Sequence, residues 1–354
     1  MCWSGWERRC EVSGVAARAP GVSRRRRSLI LCAASPLAGF GRALATESKP
    51  QLHAELRRIA EATGGRMGVS ALGVKSGERI QLDSGVRYPM ASTFKIPVAM
   101  TLLDQVDRHA LALSEPIEIL PGDLSPGSGE INKSMVDEGS SSKATTLGAL
   151  LEAMMLVSDN TATDHLMARL GGPQTVTAHL RALGVTDIEV SRPAAQLVAD
   201  SWGFTLPQAG ERDRRSLVRL QHRTPQAVRE RAAANFLGDA RDTTTPDAMV
   251  TLLAALVTGK ALGKASTTLL LDTMARCQTG PGRIRGQLPR GLPVAHKTGT
   301  LRHVTTNDVG ILTLPRGGGP LLAAIYLTAS PQPLAEQERA IASAAVALYR
   351  YYNH

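Results

Sequence analysis

Ser92-Thr93-Phe94-Lys95 opens a run in which Ile96, Val98, Ala99, Met100, Leu102 and Leu103 are apolar nearly all round. A segment hydrophobic on every side is a buried helix. If that helix starts near Ala91, Ser92 and Lys95 share one face, being three residues apart. A serine hydroxyl is a poor nucleophile at neutral pH and needs a base within hydrogen-bond reach. Burial disfavours a charged ammonium, so Lys95 in such a helix is suited to take that proton. Alone, the four residues read equally well as an N-cap serine with a surface lysine; the apolar surroundings count against the surface lysine.

Two further motifs follow in order. Ser158-Asp159-Asn160 lies between apolar segments at 146–157 and 161–170, the second stopped by Gly171-Gly172, which predicts a tight turn between helices. The Ser158 hydroxyl is suited to relay a proton to a leaving nitrogen, and the Asn160 amide to hold a substrate amide. Plain Asx-turn chemistry is the competing reading for this motif alone. Lys297-Thr298-Gly299 sits between the apolar runs 292–295 and 309–314. That predicts an edge strand beside a cleft, with Gly299 allowing a ligand's backbone to come close. Lys297 brings positive charge for a carboxylate; Thr298 and Thr300 bring hydroxyls.

Each motif is weak by itself, but the ordered triple resembles the signature of the class A serine β-lactamase and penicillin-binding (DD-peptidase) family. The resemblance covers nearly all of the chain after Lys49. It implies that Ser92 is the acylated nucleophile and Lys95 its activating base or part of the proton network. It further implies that Ser158 shuttles protons, Asn160 orients the substrate, and Lys297 and Thr298 bind its carboxylate. The implied oxyanion hole is the backbone N–H groups of Ser92 and Thr300. Arg283 stands where some members carry an extra carboxylate-binding arginine; a solvated surface charge is the alternative.

The chain also departs from that family. Its members carry Arg, a Glu two residues on, then Leu and Asn in a loop after the Ser-Asp-Asn turn, and the Glu positions the deacylating water. Here Arg192 and Leu197 fall in register, whereas Ala194 occupies the Glu position and Val198 the Asn position. Asp242 matches the loop-closing Asp and is a natural partner for Arg192. Asp164 replaces an Asn that usually bonds that Glu; two carboxylates there would repel, and Ala194 removes the conflict. The same loop carries a basic insertion, 198–240, containing Arg212, Arg214, Arg215, Arg219, Arg223, Arg229 and Arg231. Thr224-Pro225 followed by good helix formers predicts a helix over 226–237. Either this is a solvated surface helix, or it is a lid that reshapes the cleft or supplies a substitute base from Glu211, Asp213 or Glu230.

The 354 residues are 43% hydrophobic and 20% charged, an ordinary globular composition. The formal charge of +10 misleads. Residues 1–45 hold eight arginines against Glu7 and Glu11, so the remainder has 33 basic and 29 acidic side chains, or +4. No nucleic-acid partner is expected. Arg24 to Arg27, the apolar run 29–40 and Ala43-Leu44-Ala45 form the regions of an export signal cleaved after Ala45. Within it, Arg26-Arg27-Ser28-Leu29-Ile30 resembles a twin-arginine signal, and residues before Ser23 read as an upstream extension. The run is short for a membrane span, so residues 46–354 are expected to be an exported, periplasmic catalytic domain without a span. Cys2, Cys10 and Cys32 leave with the signal; Cys277 remains alone, with no disulfide partner. The histidines show no metal spacing, and His165, His296 and His303 read as ordinary polar residues. Neither metal nor cofactor is expected.

Residues 52–62 predict an amphipathic helix, and 67–74 with 79–82 a hairpin about Lys75-Ser76-Gly77. A helical middle, 93–258, precedes strands near His296, at 309–314 and at 321–328, and a closing helix at 333–352. The predicted fold is therefore α+β: an antiparallel sheet flanked by the terminal helices, with an all-helical region inserted. The expected activity is a serine hydrolase of β-lactamase type, working as a monomer and opening a small-molecule β-lactam through an acyl-enzyme. Two alternatives stay open. One is a D-alanyl-D-alanine peptidase or esterase acting on a cell-wall peptide; the other is a penicillin-binding protein that stays acylated.

Overall fold

The computed structural model describes residues 48–131, 134 and 142–353; the export-signal reading of residues 1–45 lies outside them. Nine strands lie in the described chain: β1 (Arg66–Gly73), β2 (Arg79–Leu82), β3 (Tyr88–Pro89), β4 (Pro116–Ile119), β5 (Lys143–Thr146), β6 (Thr243–Thr244), β7 (Val294–Leu301), β8 (Thr305–Leu314) and β9 (Gly319–Thr328). Five form an antiparallel sheet in the order β2-β1-β9-β8-β7. Strands from early and late in the described chain thus share one sheet, and β7, with Lys297-Thr298-Gly299, is one of its edges.

Strand side chains alternate between faces, and β9 shows the consequence. Leu321, Ala323, Ile325 and Leu327 point into one apolar cluster with Leu52, Leu56, Ile341 and Leu348. Leu322, Ala324 and Tyr326 point into the other, with Met249, Leu252 and Phe94. The first cluster binds the helices Lys49–Ala62 and Leu334–Tyr352 to the sheet. The second is shared with the helical region. A strand buried on both faces reads as a continuous hydrophobic run, which residues 321–327 are.

Four features differ from the sequence expectation. The α-helix after Ser92 begins only at Lys95 (Lys95–Asp107), and Ala91–Phe94 is a 3-10 turn. Pro97 has no N–H to give Thr93 and its ring crowds that carbonyl, so regular α-helix cannot extend back to Ala91. The helical region also continues past residue 258 with Lys264–Ala275 and carries the small β3–β6 and β4–β5 pairs. The loop after Arg192 forms a helix of its own, Ala194–Trp202, ended by Gly203 at φ 76°. Finally, the insertion holds two helices rather than one. Gln226–Leu237 matches the expectation; Arg214–Arg223 is additional, and Asp213 caps it by accepting Ser216 N–H at 2.9 Å.

Candidate active site

Ser92 lies on the 3-10 turn that leads into the buried Lys95–Asp107 helix, directly against β7. A Cβ at Gly299 would sit 2.6 Å from Met90 O and 3.1 Å from Ser92 N. The missing side chain therefore lets β7 approach the protein's own backbone at Ser92. Ala91, at φ 45°, holds the turn in a conformation that non-glycine residues rarely adopt.

Lys95 is fully buried. Its Nζ donates to Ser158 O at 2.6 Å, Asn160 Oδ1 at 2.7 Å and Ser158 Oγ at 3.1 Å. Burial, then the neighbouring Lys297 charge, hold its ammonium well below the usual value of 10.5, against the pull of Asp159 and Asp164. Its bonds go to the Ser-Asp-Asn turn and, among the described contacts, none goes to Ser92.

Ser158 is in the left-handed region at φ 61°, between the helices Leu147–Leu156 and Asn160–Arg169. Strain of this kind collects at functional turns. Asp159 makes the turn possible by capping the second helix, accepting Ala162 N–H at 2.9 Å. That conformation leaves Ser158 Oγ between the Nζ atoms of two lysines, for Lys297 Nζ also donates to it, at 3.0 Å. Asn160 completes the turn by donating through Nδ2 to Pro126 O at 2.7 Å.

Lys297 is also fully buried; burial lowers its pKa to about 8, against Cys277 and Asp308, which raise it. Behind it, His296 Nδ1 lies 3.0 Å from both oxygens of Asp308. Burial disfavours the imidazolium, but Asp308 and Cys277 prevail and raise His296 to about 9. The sequence gives this pair no signal, since a lone His and an Asp eleven residues past Lys297 form no motif. Thr298 Oγ1 lies 2.5 Å from Thr279 Oγ1.

Arg283 is buried, which overturns the surface-charge alternative. It donates to Glu338 Oε1 at 3.1 Å, Gly299 O at 3.0 Å, Asn307 O at 2.9 Å and Thr300 Oγ1 at 2.6 Å. It thereby ties β7 to β8 and to the C-terminal helix while touching the Thr300 hydroxyl.

Ser92, Ser158, Asn160, Thr298, Thr300 and Arg283 line one cleft of about 510 Å³. Its opposite wall is Ala194, Leu197, Val198 and Trp202, with Gln221 from the insertion. No Asp or Glu lines it among the described residues. Glu211, Asp213 and Glu230 are exposed and elsewhere: Asp213 caps its own helix, and Glu230 accepts from Gln226 Nε2 at 2.7 Å. None is the substitute base that the sequence suggested. Trp202 and Gln221 escape a reading of the sequence, having no motif around them.

The loop frame is built on Arg192. Its guanidinium reaches Asp242 at 2.6 Å, Asp200 at 2.7 Å and Asp239 at 3.1 Å, and Asp242 Oδ1 accepts the N–H groups of Ser191 and Arg192. Among the described residues, no cluster of three or more His, Cys, Asp or Glu could hold a metal ion.

An edge-strand lysine and a helix lysine meeting at one serine, beside a second serine on a 3-10 turn, define a class of serine acyl-transfer enzymes. The chain belongs to the β-lactamase enzyme family, whose profile matches residues 51–352. It is 30% identical over 323 residues to the β-lactamase Toho-1 of Escherichia coli, covering 91% of this chain and 96% of that one. It is 31% identical to the β-lactamase CTX-M-8 of Citrobacter amalonaticus, over 82% of this chain and 85% of that one. Among solved structures, a mutant of the class A β-lactamase of the last common ancestor of Gram-negative bacteria superposes with a TM-score of 0.70. That pair is 31% identical, covering 86% of this chain and 99% of that one. A β-lactamase from Chitinophaga pinensis superposes with a TM-score of 0.68 at 28% identity, over 84% of this chain and 98% of that one.

Proposed function

We propose that the protein is a serine β-lactamase acylated at Ser92. The observation that carries the reading is the convergence of Lys95 and Lys297 on Ser158 Oγ at 3.1 and 3.0 Å, in the cleft that holds Ser92. In this reading Ser92 Oγ attacks the lactam carbonyl carbon and its proton passes to neutral Lys95. The carbonyl oxygen takes up negative charge against the N–H groups of Ser92 and Thr300. The C–N bond then breaks, and the nitrogen takes a proton through Ser158. Lys297 and Thr298 hold the substrate carboxylate, with Arg283 supporting Thr300, and Asn160 orients the acyl amide. Water hydrolyses the ester and frees Ser92. Residues 1–45 serve as the export signal and 46–354 as the periplasmic catalytic domain.

A second reading, a peptidase or esterase of the same fold or a penicillin-binding protein that stays acylated, is favoured by one observation: no Asp or Glu lines the cleft among the described residues. Intact-mass measurement after mixing with penicillin tests both. A transient adduct that Ser92→Ala abolishes is expected; a persistent adduct favours the second reading. An adduct surviving Ser92→Ala overturns the assignment of the nucleophile.

A further inference from the structure

Beyond Trp202 the cleft adjoins a second cavity of about 480 Å³, and Trp202 and Arg302 line both. One wall is the Gln226–Leu237 helix of the insertion; another is the turn from β7 to β8, with Arg302 and His303. The floor is apolar: the Trp202 ring, with Ala233 and Leu237. Two guanidiniums overlook it. Arg229 lies 5.9 Å over the Trp202 ring, and Arg302 is exposed at the mouth. Neither has a carboxylate partner among the described residues. The lining's one carboxylate, Glu230, already accepts a hydrogen bond from Gln226.

We propose that this chamber is a substrate subsite for an acyl side chain that bears a carboxylate on an aromatic or short alkyl group. The inference rests on the reading of Ser92 as the acylated nucleophile. A donor bound at Ser92 with its side chain turned toward the insertion passes Trp202 and enters the chamber. There the apolar part lies on the indole and the carboxylate faces two arginines, whose planar donor forks match it. The insertion then has a function: its helix builds the far wall and brings one of the two cations.

The test compares two penicillins that differ only in the side chain, phenylacetyl against α-carboxyphenylacetyl, and reads the second-order acylation rate constant of each on the full chain. The ratio, carboxylated over neutral, is expected to exceed one. It should fall about tenfold in Arg229→Ala and in Arg302→Ala, the loss of one charged hydrogen bond in each. Because both rates come from the same preparation, partial misfolding cancels in the ratio. Arg316→Ala, on the turn at the other end of β8, controls for long-range charge and should leave the ratio alone. A ratio unmoved by both variants, or moved equally by Arg316→Ala, overturns the subsite. Failure of both compounds to acylate overturns the reading of Ser92 and this proposal with it.

Discussion

Asp164 accepts the backbone N–H of Ala194 at 2.5 Å and, through its other oxygen, that of Ala195 at 2.9 Å. A half-buried carboxylate on the Asn160–Arg169 helix thus holds the first turn of Ala194–Trp202, where free N–H groups and the helix dipole favour negative charge. Burial raises its pKa, while Ser125, which donates at 2.6 Å, and the two amides oppose the rise. Carboxylate and backbone have changed sides relative to a loop that presents its own acid.

Asp164→Ala should therefore loosen this wall of the cleft. Two buried amides lose their acceptor, at about 1–3 kcal/mol for an unsatisfied group. Urea unfolding should show the loss, and amide exchange at Ala194 and Ala195 should accelerate. Unchanged protection of those two amides would mean that something else fixes the loop.

Arg192→Ala should be more costly. Its side chain and that of Asp242 are nearly or fully buried, and removing one partner of a buried pair strands the other at about 3–5 kcal/mol. Denaturant titration measures this. A loss near that of an exposed pair, under about 1 kcal/mol, would show that Asp242 is held by the Ser191 and Arg192 amides alone.

The pH profile of acylation follows from the two lysines. Lys95 acts as a base only when neutral, and its pKa lies well below 10.5, so the rate should rise with pH and level off well before that value. Lys297 binds a carboxylate only when charged, and its pKa lies near 8, so the rate should fall again above about 8. The profile is a bell whose limbs are the essential base and the essential cation. A rate still climbing at pH 10 would exclude Lys95 as the base.

Much of this is legible in the sequence because its signals are local. The continuous apolar run of β9, the turn at Ser158 and the interval from Ser158 to Arg192 depend on neighbours or fixed spacings. Other features are not. The 3-10 turn at Ser92 comes from Pro97 acting four residues back. The Arg214–Arg223 helix has few apolar residues, so its pattern resembles a charged loop. Trp202 reaches the cleft at the end of the Ala194–Trp202 helix, and Gln221 because the chain after Gly203 returns to it, a long-range fact with no residue pattern to announce it. The suggested bases Glu211, Asp213 and Glu230 fail for the same reason: proximity in sequence to an active-site loop does not give a direction in space.

Deacylation should be the slow step. With Ala194 at the cleft wall and no acid lining it among the described residues, the protein should acylate faster than it deacylates, and a burst should precede slow turnover. General-base help contributes about 10²–10⁴-fold, so the deficit should be visible with a good penicillin. Ala194→Glu alone should not restore turnover, because Asp164 already sits at 2.5 Å from that residue's amide and would repel a second carboxylate. Val198, apolar and buried on the same wall, offers no hydrogen bond to a water. Asp164→Asn relieves the repulsion and keeps an acceptor for one of the two helix amides; Val198→Asn supplies the missing polar group. The triple change Ala194→Glu, Val198→Asn and Asp164→Asn should speed deacylation where each single change does not, and stopped-flow burst analysis reads this directly. Burst-free hydrolysis by the unmodified protein would refute the assignment, because water would then be activated without the carboxylate that Ala194 replaces.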